Sequence, residues 1–516
     1  MIPFFKYPFS CILLAMVGLS AETSTSATMQ LDLETAIATA LENNLGLSAQ
    51  RYEPANAEDS LVSAEAAFDP SIFSNVSLGE RQSAARSTTL DSAVPTSESR
   101  RAAAGISKQL ESGASLTVDS GINRQTTNNN AARNPDYSTD IGFNIRQPLM
   151  KDAWASVNLA PIARAKAQLN QSLYRLRSDI LDVVSNTEIA YWNLAFTQAD
   201  RALVESSIEL AENLFTENTE RERLGYVTPL EVLQAQAEVF NQEENRIRAD
   251  RAIDDAMDQL RQLMGTASFL DLDFAMIEVA ALPDLETDLP VLDEVVRTSL
   301  ANDSDAAAQE LQIEVQRINR LLAEDETKPD LDLTAGLTYS GRDTDGFDAY
   351  RGAYEANGYG WDIGLEVRLP WGMRDAKARL RQADRNLERA QFELYAIKQQ
   401  KALAARTAWR SLDAGIKRVE VTRKSLDVNE QSFEQERARY GSGLSAYRSV
   451  LEAQRDFDRA RRNYLSAIIE TVRARVRLGR IDGSVLERNG YTWSVLDTLA
   501  EAPDVAEHPL SPKIPN

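Results

Sequence analysis

The chain has 516 residues, and its 78 acidic against 56 basic side chains give a formal net charge of -22. This acidic balance disfavours nucleic acid as a partner, because binding to phosphates depends on Lys and Arg. The only histidine is His508, which nearly excludes histidine-based triads, zinc clusters and haem sites. No nucleophile elbow, phosphate loop or metal-ligand spacing occurs, so the sequence predicts neither an enzyme nor a bound cofactor or metal.

The first predicted element is a secretory signal peptide over residues 1–21. Lys6 supplies the positive charge, residues 12–19 form an apolar core, and small residues surround the expected cleavage point. This apolar run is shorter than the ~20 residues that a spanning helix needs. The only cysteine, Cys11, lies at the front of the run, so we expect it to be removed with the peptide rather than to accept a lipid.

The first half of the mature chain reads as helix, strands, long helix, glycine turn and helix. A long helix is predicted over residues 161–223, where no glycine occurs and apolar residues recur at steps of three and four, as in a coiled-coil seam. Shorter helices are predicted over residues 31–67 and 229–264, and alternating strands over 72–78 and 137–145. An extra hairpin is predicted over 106–118, and irregular loops over 81–101 and 125–136. Whether the hairpin joins the other strands is left open.

The second half repeats this order without the hairpin. A helix is predicted over residues 291–325, then a strand over 331–339, a loop over 340–357 and a strand over 359–367. A long helix over 374–439 and a final helix over 446–478 follow. The segment R-E-R-L-G-Y-V-T-P-L-E-V-L-Q-A-Q from Arg221 corresponds to R-Y-G-S-G-L-S-A-Y-R-S-V-L-E-A-Q from Arg439. We therefore predict two structural repeats, 28–265 and 283–480, in one composite architecture, followed by a flexible acidic, proline-containing tail over 481–516. A set of unrelated antiparallel bundles is the alternative.

The repeated strands before Pro148 and Pro370 alternate strictly between two kinds of side chain. Odd positions from 359 to 367 are aromatic or apolar, whereas Asp362, Glu366 and Arg368 occupy even positions. One face of such a strand is apolar and the other polar. This pattern suits a sheet that is wet on one side, or the wall of a membrane barrel with a watery lumen. A soluble antiparallel sheet covering a core is the alternative.

Taken together, the duplicated order and these segments resemble the TolC-type outer-membrane factor family of Gram-negative efflux and secretion systems. The resemblance implies an α+β membrane protein. In it, a trimeric transmembrane β-barrel, with about four strands from each protomer, continues into a long α-helical coiled-coil periplasmic tunnel. One physical argument supports assembly from several protomers: a four-stranded sheet cannot close on itself, and open sheet edges are not tolerated in lipid.

Two glycine turns are candidate functional sites. Gly225 and Gly443 fall where each long helix passes to a shorter one, and glycine there permits the left-handed conformation that ends a helix. By resemblance, these hairpins form the periplasmic tip on which a hexameric adaptor docks, with contacts expected at Gly225, Val227, Thr228, Gly443, Leu444 and Ser445. The resemblance also gives Tyr440 as a gate tyrosine, Glu231 as a gate acid and Glu452 as a ring acid. Plain helix caps and solvated helix faces are the alternatives.

The function implied is a passive exit duct of a tripartite efflux or type I secretion system. Its expected partners are two further copies of the chain, a periplasmic adaptor, an inner-membrane pump or ABC transporter, and outer-membrane lipid. Its expected location is the outer membrane of a Gram-negative bacterium, extending into the periplasm. A periplasmic coiled-coil scaffold without a pore is the competing hypothesis, and the sequence does not reveal the exported substrate.

Overall fold

A computed structural model describes residues 28–82, 96–128, 133–266, 276–283 and 288–492. The predicted signal peptide lies outside the described residues, as does the predicted tail from residue 493 onward. The loops predicted at 81–101 and 125–136 are described only in part, and strand structure begins again at Thr96.

Two very long helices dominate the molecule, as predicted. They contain 64 and 68 residues, which at 1.5 Å per residue makes each about 100 Å long. The helices in chain order are α1 (Leu33–Asn43), α2 (Leu45–Glu65), α3 (Ala155–Asn158), α4 (Ala160–Arg223), α5 (Pro229–Leu263), α6 (Leu292–Ala301), α7 (Ser304–Asp325), α8 (Gly346–Tyr354), α9 (Arg374–Gly441), α10 (Tyr447–Asp482) and α11 (Ser484–Arg488). None of the described helices has a stretch long and apolar enough to cross a bilayer.

The helix predicted over residues 31–67 is interrupted at Asn44. The Asn44 side chain accepts a hydrogen bond from the Leu47 backbone N–H and so caps α2. Its amide also donates to the Leu263 carbonyl oxygen at 2.7 Å. Because this second bond joins α5 to the break, a tertiary contact fixes where the helix divides. The helix predicted over 291–325 also divides, between α6 and α7, where no described side chain caps α7 but the Asn302 amide donates to the Asp482 carbonyl at 3.0 Å.

Six strands form one antiparallel sheet, whereas about four were predicted. The strands are β1 (Thr28–Leu31), β2 (Ser71–Gln82), β3 (Thr96–Gln109), β4 (Ser115–Thr127), β5 (Asp136–Pro148), β6 (Met276–Val279), β7 (Asp330–Asp343) and β8 (Gly358–Arg368). The sheet order is β2-β3-β4-β5-β7-β8, and β1 pairs with β6 in a separate parallel pair. The extra hairpin is thus β3 and β4, which lie in full register between β2 and β5.

The two faces of this sheet differ along its whole width. One row of paired residues crosses all six strands with apolar side chains, namely Ile72, Ile106, Val118, Phe143, Leu337 and Trp361, all of them exposed. The neighbouring row on the other face consists of Ser71, Ser107, Thr117, Asn144, Gly336 and Asp362. The alternation predicted for four separate strands therefore lines up across all six at this level, including the hairpin, whereas Arg100 and Arg124 interrupt the apolar face near the other end of β3 and β4.

The helices pack around several apolar clusters. Predicted seam residues of α4 such as Val184, Tyr191 and Leu194 are almost fully buried. The Tyr191 hydroxyl donates to the Leu31 carbonyl and accepts from the Ala280 N–H, both at 3.1 Å, which holds the β1–β6 pair against α4. The sequence did not predict this strand pair, because each of its strands has four residues and takes its place from these contacts.

The first part of the predicted tail is packed rather than free. Helix α10 continues to Asp482, and α11 follows it directly. Val485 and Leu486 of α11 are nearly fully buried in a cluster that includes Leu41 and Val184. Burying two such side chains contributes about 3–6 kcal/mol. Residues 481–492 therefore belong to the helical body.

Candidate functional site

The two glycine turns lie side by side at one end of the long helices. Gly225 and Gly443 have φ of 78° and 75°, the left-handed conformation that was predicted for them. The Tyr226 N–H donates to the Arg221 carbonyl at 2.8 Å, and the Leu444 N–H donates to the Arg439 carbonyl at 2.9 Å. The Gly225 N–H also donates to the Glu222 carbonyl, and the Gly443 N–H donates to the Tyr440 carbonyl. Each turn thus has the two closing bonds of a Schellman motif, so both helices end in the same way.

Arg221 connects the two turns. Its guanidinium donates to the carbonyl oxygens of Tyr440 at 3.1 Å and Gly441 at 3.4 Å, across from α4 to the end of α9. Its Cζ atom also lies 4.5 Å from the centre of the Tyr440 ring, and the guanidinium pairs at 2.7 Å with Glu217 one turn earlier on α4. Charge-assisted bonds of this kind are stronger than neutral ones. The Arg221 side chain therefore holds the α4–α5 hairpin against the α9–α10 hairpin.

Tyr440 is buried at this junction, only 4% exposed. Its hydroxyl donates to the Asn218 side-chain oxygen on α4, and its ring lies 5.9 Å from that of Tyr447. Burial is the main reason that the pKa of Tyr440 is raised, and it raises the pKa of Tyr447 to about 12. Both hydroxyls therefore stay protonated at neutral pH, and Tyr440 acts as a neutral hydrogen-bond donor.

The other predicted gate residues have local partners. Glu231 accepts a hydrogen bond from the Thr228 backbone N–H at 3.0 Å and completes a capping box at the start of α5. Glu452 is exposed and accepts from Arg448 one turn earlier on α10, at 3.0 Å. Glu231 lies close enough to Tyr440 to affect the pKa of that hydroxyl, whereas the ion pair of Glu452 is with Arg448 on its own helix.

The predicted docking residues surround an exposed apolar tip. Leu444 is 72% exposed, and Ser445 beside it hydrogen-bonds to Glu436. Tyr226 and Leu224, which sequence reasoning did not single out, are similarly exposed on the other turn. Sequence reasoning also missed Arg221 and Asn218. Arg221 opens the quoted repeat segment, but only the fold places it beside Tyr440.

A buried polar layer lies between the helices next to the tip. Glu238 on α5, only 3% exposed, accepts hydrogen bonds from Arg455 at 2.7 Å and Gln242 at 2.9 Å. Asp458 on α10 accepts from the Ser207 hydroxyl on α4 at 2.9 Å. Burial is the main cause that raises the pKa of Asp458 above its ordinary value. Polar groups in this layer fix the register of three helices, since each needs its partner opposite.

Asp458 makes the stability of this layer depend on pH. A carboxyl whose pKa is raised by folding stabilises the fold below its ordinary pKa, and this contribution is lost as pH rises through the raised value. The nearby charges Arg461, Arg462 and Glu238 modify the shift but do not reverse it. We therefore expect Asp458→Asn, which keeps a polar group beside Ser207, to raise the melting temperature at pH 7.

Thermal unfolding of the purified protein at pH 7 and at pH 3 checks this expectation. The variant and the wild type should converge at the lower pH, where Asp458 is protonated in both the folded and the unfolded chain. Asp456→Asn is the matched control, because Asp456 is exposed and bonded only to Arg459 on its own helix among the contacts described. An equal change in both variants would contradict the role of burial.

No cluster of three or more His, Cys, Asp or Glu side chains suited to a metal ion occurs in the described ranges. Residues 113–266 and 295–484 match the family described as outer membrane efflux protein, and together they make up more than half of the chain. The chain belongs to this outer membrane efflux protein family. The resemblance seen in the sequence is thereby confirmed.

Two curated relatives illustrate the family. The outer membrane protein TolC of Escherichia coli K12 is 26% identical over 319 residues, which are 56% of this chain and 60% of TolC. The probable efflux pump outer membrane protein SepC of Pseudomonas putida F1 is 23% identical over 312 residues, 58% of this chain and 61% of SepC. The match thus spans about three fifths of the length of each relative.

Solved structures of outer membrane proteins share the fold. The CmeC outer membrane channel of Campylobacter jejuni superposes with a TM-score of 0.67 at 17% identity, over 92% of this chain and 90% of CmeC. The outer membrane protein VceC of Vibrio cholerae gives a TM-score of 0.65 at 18% identity, over 87% of this chain and 96% of VceC. The agreement over nearly the whole of both chains establishes the TolC-like fold.

Proposed function

We propose that the protein is a passive outer-membrane efflux channel, the exit duct of a tripartite efflux or type I secretion system. The observation that carries this proposal is the six-stranded sheet, in which an apolar row crosses all six strands on one face and a polar row crosses them on the other. A lipid-facing band and a wet lumen require these two faces. The long helices that continue from the sheet would form the periplasmic tunnel.

The edges of the sheet support assembly with other copies. Strands β2 and β8 lie at its two ends, and in the described part of the chain neither pairs on its outer side. Unpaired edges are not tolerated in lipid, so the barrel would be completed by other protomers. In the trimer that the family resemblance implies, three sheets of six strands would supply eighteen strands. The internal duplication would then give the helical tunnel near-sixfold symmetry.

The exposed tip supports docking of a periplasmic adaptor. Leu224, Tyr226 and Leu444 expose apolar surface on both turns, although the helices behind them are well packed. Scattered exposed apolar residues need no explanation, but their grouping at the tip suits a partner surface. An inner-membrane pump or ABC transporter would supply the driving force.

In this proposal the tip is also the gate. Tyr440 and Arg221 would keep the two hairpins together in the closed state, with Glu231 beside them. Glu452 would face the pore, where threefold symmetry would bring three carboxylates together and favour cations. The acidic balance of the chain supports cation preference in such a lumen.

Membrane extraction tests the proposed channel. We expect the protein to leave membranes only with detergent, to run as a heat-modifiable trimer, and to conduct cations across a planar bilayer. A monomer in the soluble fraction would exclude the channel. A detergent-extracted trimer without conductance, even after the tip is opened by mutation, would favour a periplasmic coiled-coil scaffold.

The geometry of the tip turn gives a matched test of adaptor docking. Gly443 and Gly441 both have room for a methyl group, with no described atom within 4 Å, but only Gly443 has a positive φ. Gly443→Ala should therefore strain the turn by about 1–2 kcal/mol, while Gly441→Ala should not. We expect cross-linking to the adaptor to fall several-fold in Gly443→Ala alone, with the trimer intact. Equal cross-linking in the two variants would argue against docking at this turn.

A further inference from the structure

The loop between β7 and β8 contains an ordered helix, where an irregular segment was predicted over residues 340–357. Asp345 caps α8 by accepting from the backbone N–H groups of Phe347 and Asp348. The helix packs on β7, β5 and β4 at the end of the sheet that is farther from the long helices. It therefore has a fixed position relative to the sheet.

The helix lies on the apolar face of the sheet. Gly341 belongs to the same face as Tyr339 and Leu337, and a Cβ at Gly341 would lie 1.9 Å from the Ala349 carbonyl oxygen and 2.4 Å from the Ala353 nitrogen. The backbone of α8 thus occupies the space where a side chain on that face would project. Only glycine at position 341 permits this close approach.

The outer side of α8 is aromatic. Ala349, Gly352 and Ala353 are buried against the sheet. Phe347, Tyr350 and Tyr354 recur at helical spacing on the other side, and they are 69%, 46% and 82% exposed. The small residues of α8 thus face the sheet and its aromatic residues face away from it. Among the described residues, no other helix or strand packs on this aromatic side.

We infer that α8 is an interfacial helix that inserts Phe347, Tyr350 and Tyr354 into the outer boundary of the lipid bilayer. This inference rests on the proposed function. The apolar band from Leu331 to Tyr339 spans eight residue steps, ~27 Å along the strand and ~21 Å in depth at a tilt of about 40°. Since Gly341 is the next residue on that face, α8 lies at the edge of the band, where aromatic side chains are favoured.

The charges around α8 are of both signs. Arg100 and Arg124 lie on the same face as α8, in the row that ends in Tyr137 and Asp343. Arg351 of α8 is exposed beside Phe347, and Asp343, Asp345, Asp348 and Glu355 are the acidic residues of the same segment. Three guanidinium groups against four carboxylates leave this area close to balanced, and the guanidinium groups are available to lipid phosphates. The position of α8, rather than its charge, therefore decides what covers its aromatic side.

The position of α8 disfavours a second copy as its partner. The sheet edges through which protomers would join are β2 and β8, whereas α8 covers the inner strands β4, β5 and β7. A neighbouring protomer that extends the sheet at either edge continues it sideways and leaves this area facing outward. Lipid is the occupant that remains.

Spin labels on single cysteines test the inference in the full-length trimer, with Cys11→Ser as background. The protein is reconstituted in vesicles of phosphatidylethanolamine and phosphatidylglycerol. Tyr354→Cys reports on α8, Ile363→Cys on the apolar face, and Gly360→Cys on the polar face, where no described atom lies within 4 Å of the position of a Cβ. Accessibility to oxygen and to a water-soluble nickel chelate is measured for each label.

We expect the Tyr354 label to be several-fold less accessible to the nickel chelate than the Gly360 label, and to be accessible to oxygen at a depth shallower than Ile363. Nickel accessibility equal to that of Gly360, with Ile363 in lipid, would overturn the inference and leave the channel proposal standing. Low accessibility of the Tyr354 label to both reagents would mean burial under protein and would also overturn it. An Ile363 label exposed to water would refute the membrane-spanning sheet itself, and with it this inference.

Discussion

Ile363→Arg should prevent stable assembly of the protein in the membrane. Ile363 is 69% exposed in the middle of the apolar band of β8, between Tyr359 and Val367. An arginine on the lipid face of a barrel near the bilayer midplane costs about 2–4 kcal/mol. In a trimer the cost is incurred three times, about 6–12 kcal/mol, which is comparable to the whole stability of an ordinary domain.

The measurement is the yield of heat-modifiable trimer in the membrane fraction. Gly360→Arg is the matched control, because it places the same side chain on the same strand but on the polar face, where space is open. The control should retain most of the trimer, while Ile363→Arg should lose nearly all of it. Equal yields would mean that the apolar face does not meet lipid.

Arg221→Ala should shift the channel toward an open state. The substitution removes the hydrogen bonds to the Tyr440 and Gly441 carbonyls and the contact with the Tyr440 ring. The Arg221 side chain is partly exposed, so we expect a loss of about 2 kcal/mol rather than the full value for a buried charged bond. If opening separates the two hairpins, this corresponds to a ~30-fold change in the closed-to-open ratio.

Single-channel recording in planar bilayers measures this shift as open probability and conductance. Arg223→Ala is the control, since Arg223 is 71% exposed and pairs at 2.9 Å with Glu220 on its own helix. It removes the same charge from the same end of α4 without touching α9. A similar effect of both substitutions would assign the change to net charge, and no effect of Arg221→Ala would remove this link from the gate.

The long elements were predictable because their patterns are local. The absence of glycine and the three-four spacing along residues 161–223 predicted α4 to within one residue at its start. The alternation before Pro148 and Pro370 predicted β5 and β8 and assigned apolar and polar faces to them. Positive φ at Gly225 and Gly443 followed from their place between helices.

Features that depend on distant partners were not predictable in this way. Near Arg100 and Arg124, apolar and polar residues do not alternate clearly in strands β3 and β4. Which of their side chains lie on which face of the sheet is decided by their pairing with β2 and β5. Helix α8 lies in a segment rich in Gly, Asp and Tyr, and its position depends on the absence of a side chain at Gly341. The bond from Tyr440 to Asn218 joins residues 222 apart in the chain.

Local sequence patterns were enough to predict the order of the elements, the two faces of the repeated strands, and the ends of the long helices. Spacing along one strand or helix is enough for these, since the backbone geometry fixes which side chains share a face. The tertiary structure alone decided that the hairpin joins the sheet, that Arg221 links the two turns, and that α8 covers the apolar face. Those outcomes depend on contacts between segments far apart in the chain, whose free energies become defined only when packing brings the segments together.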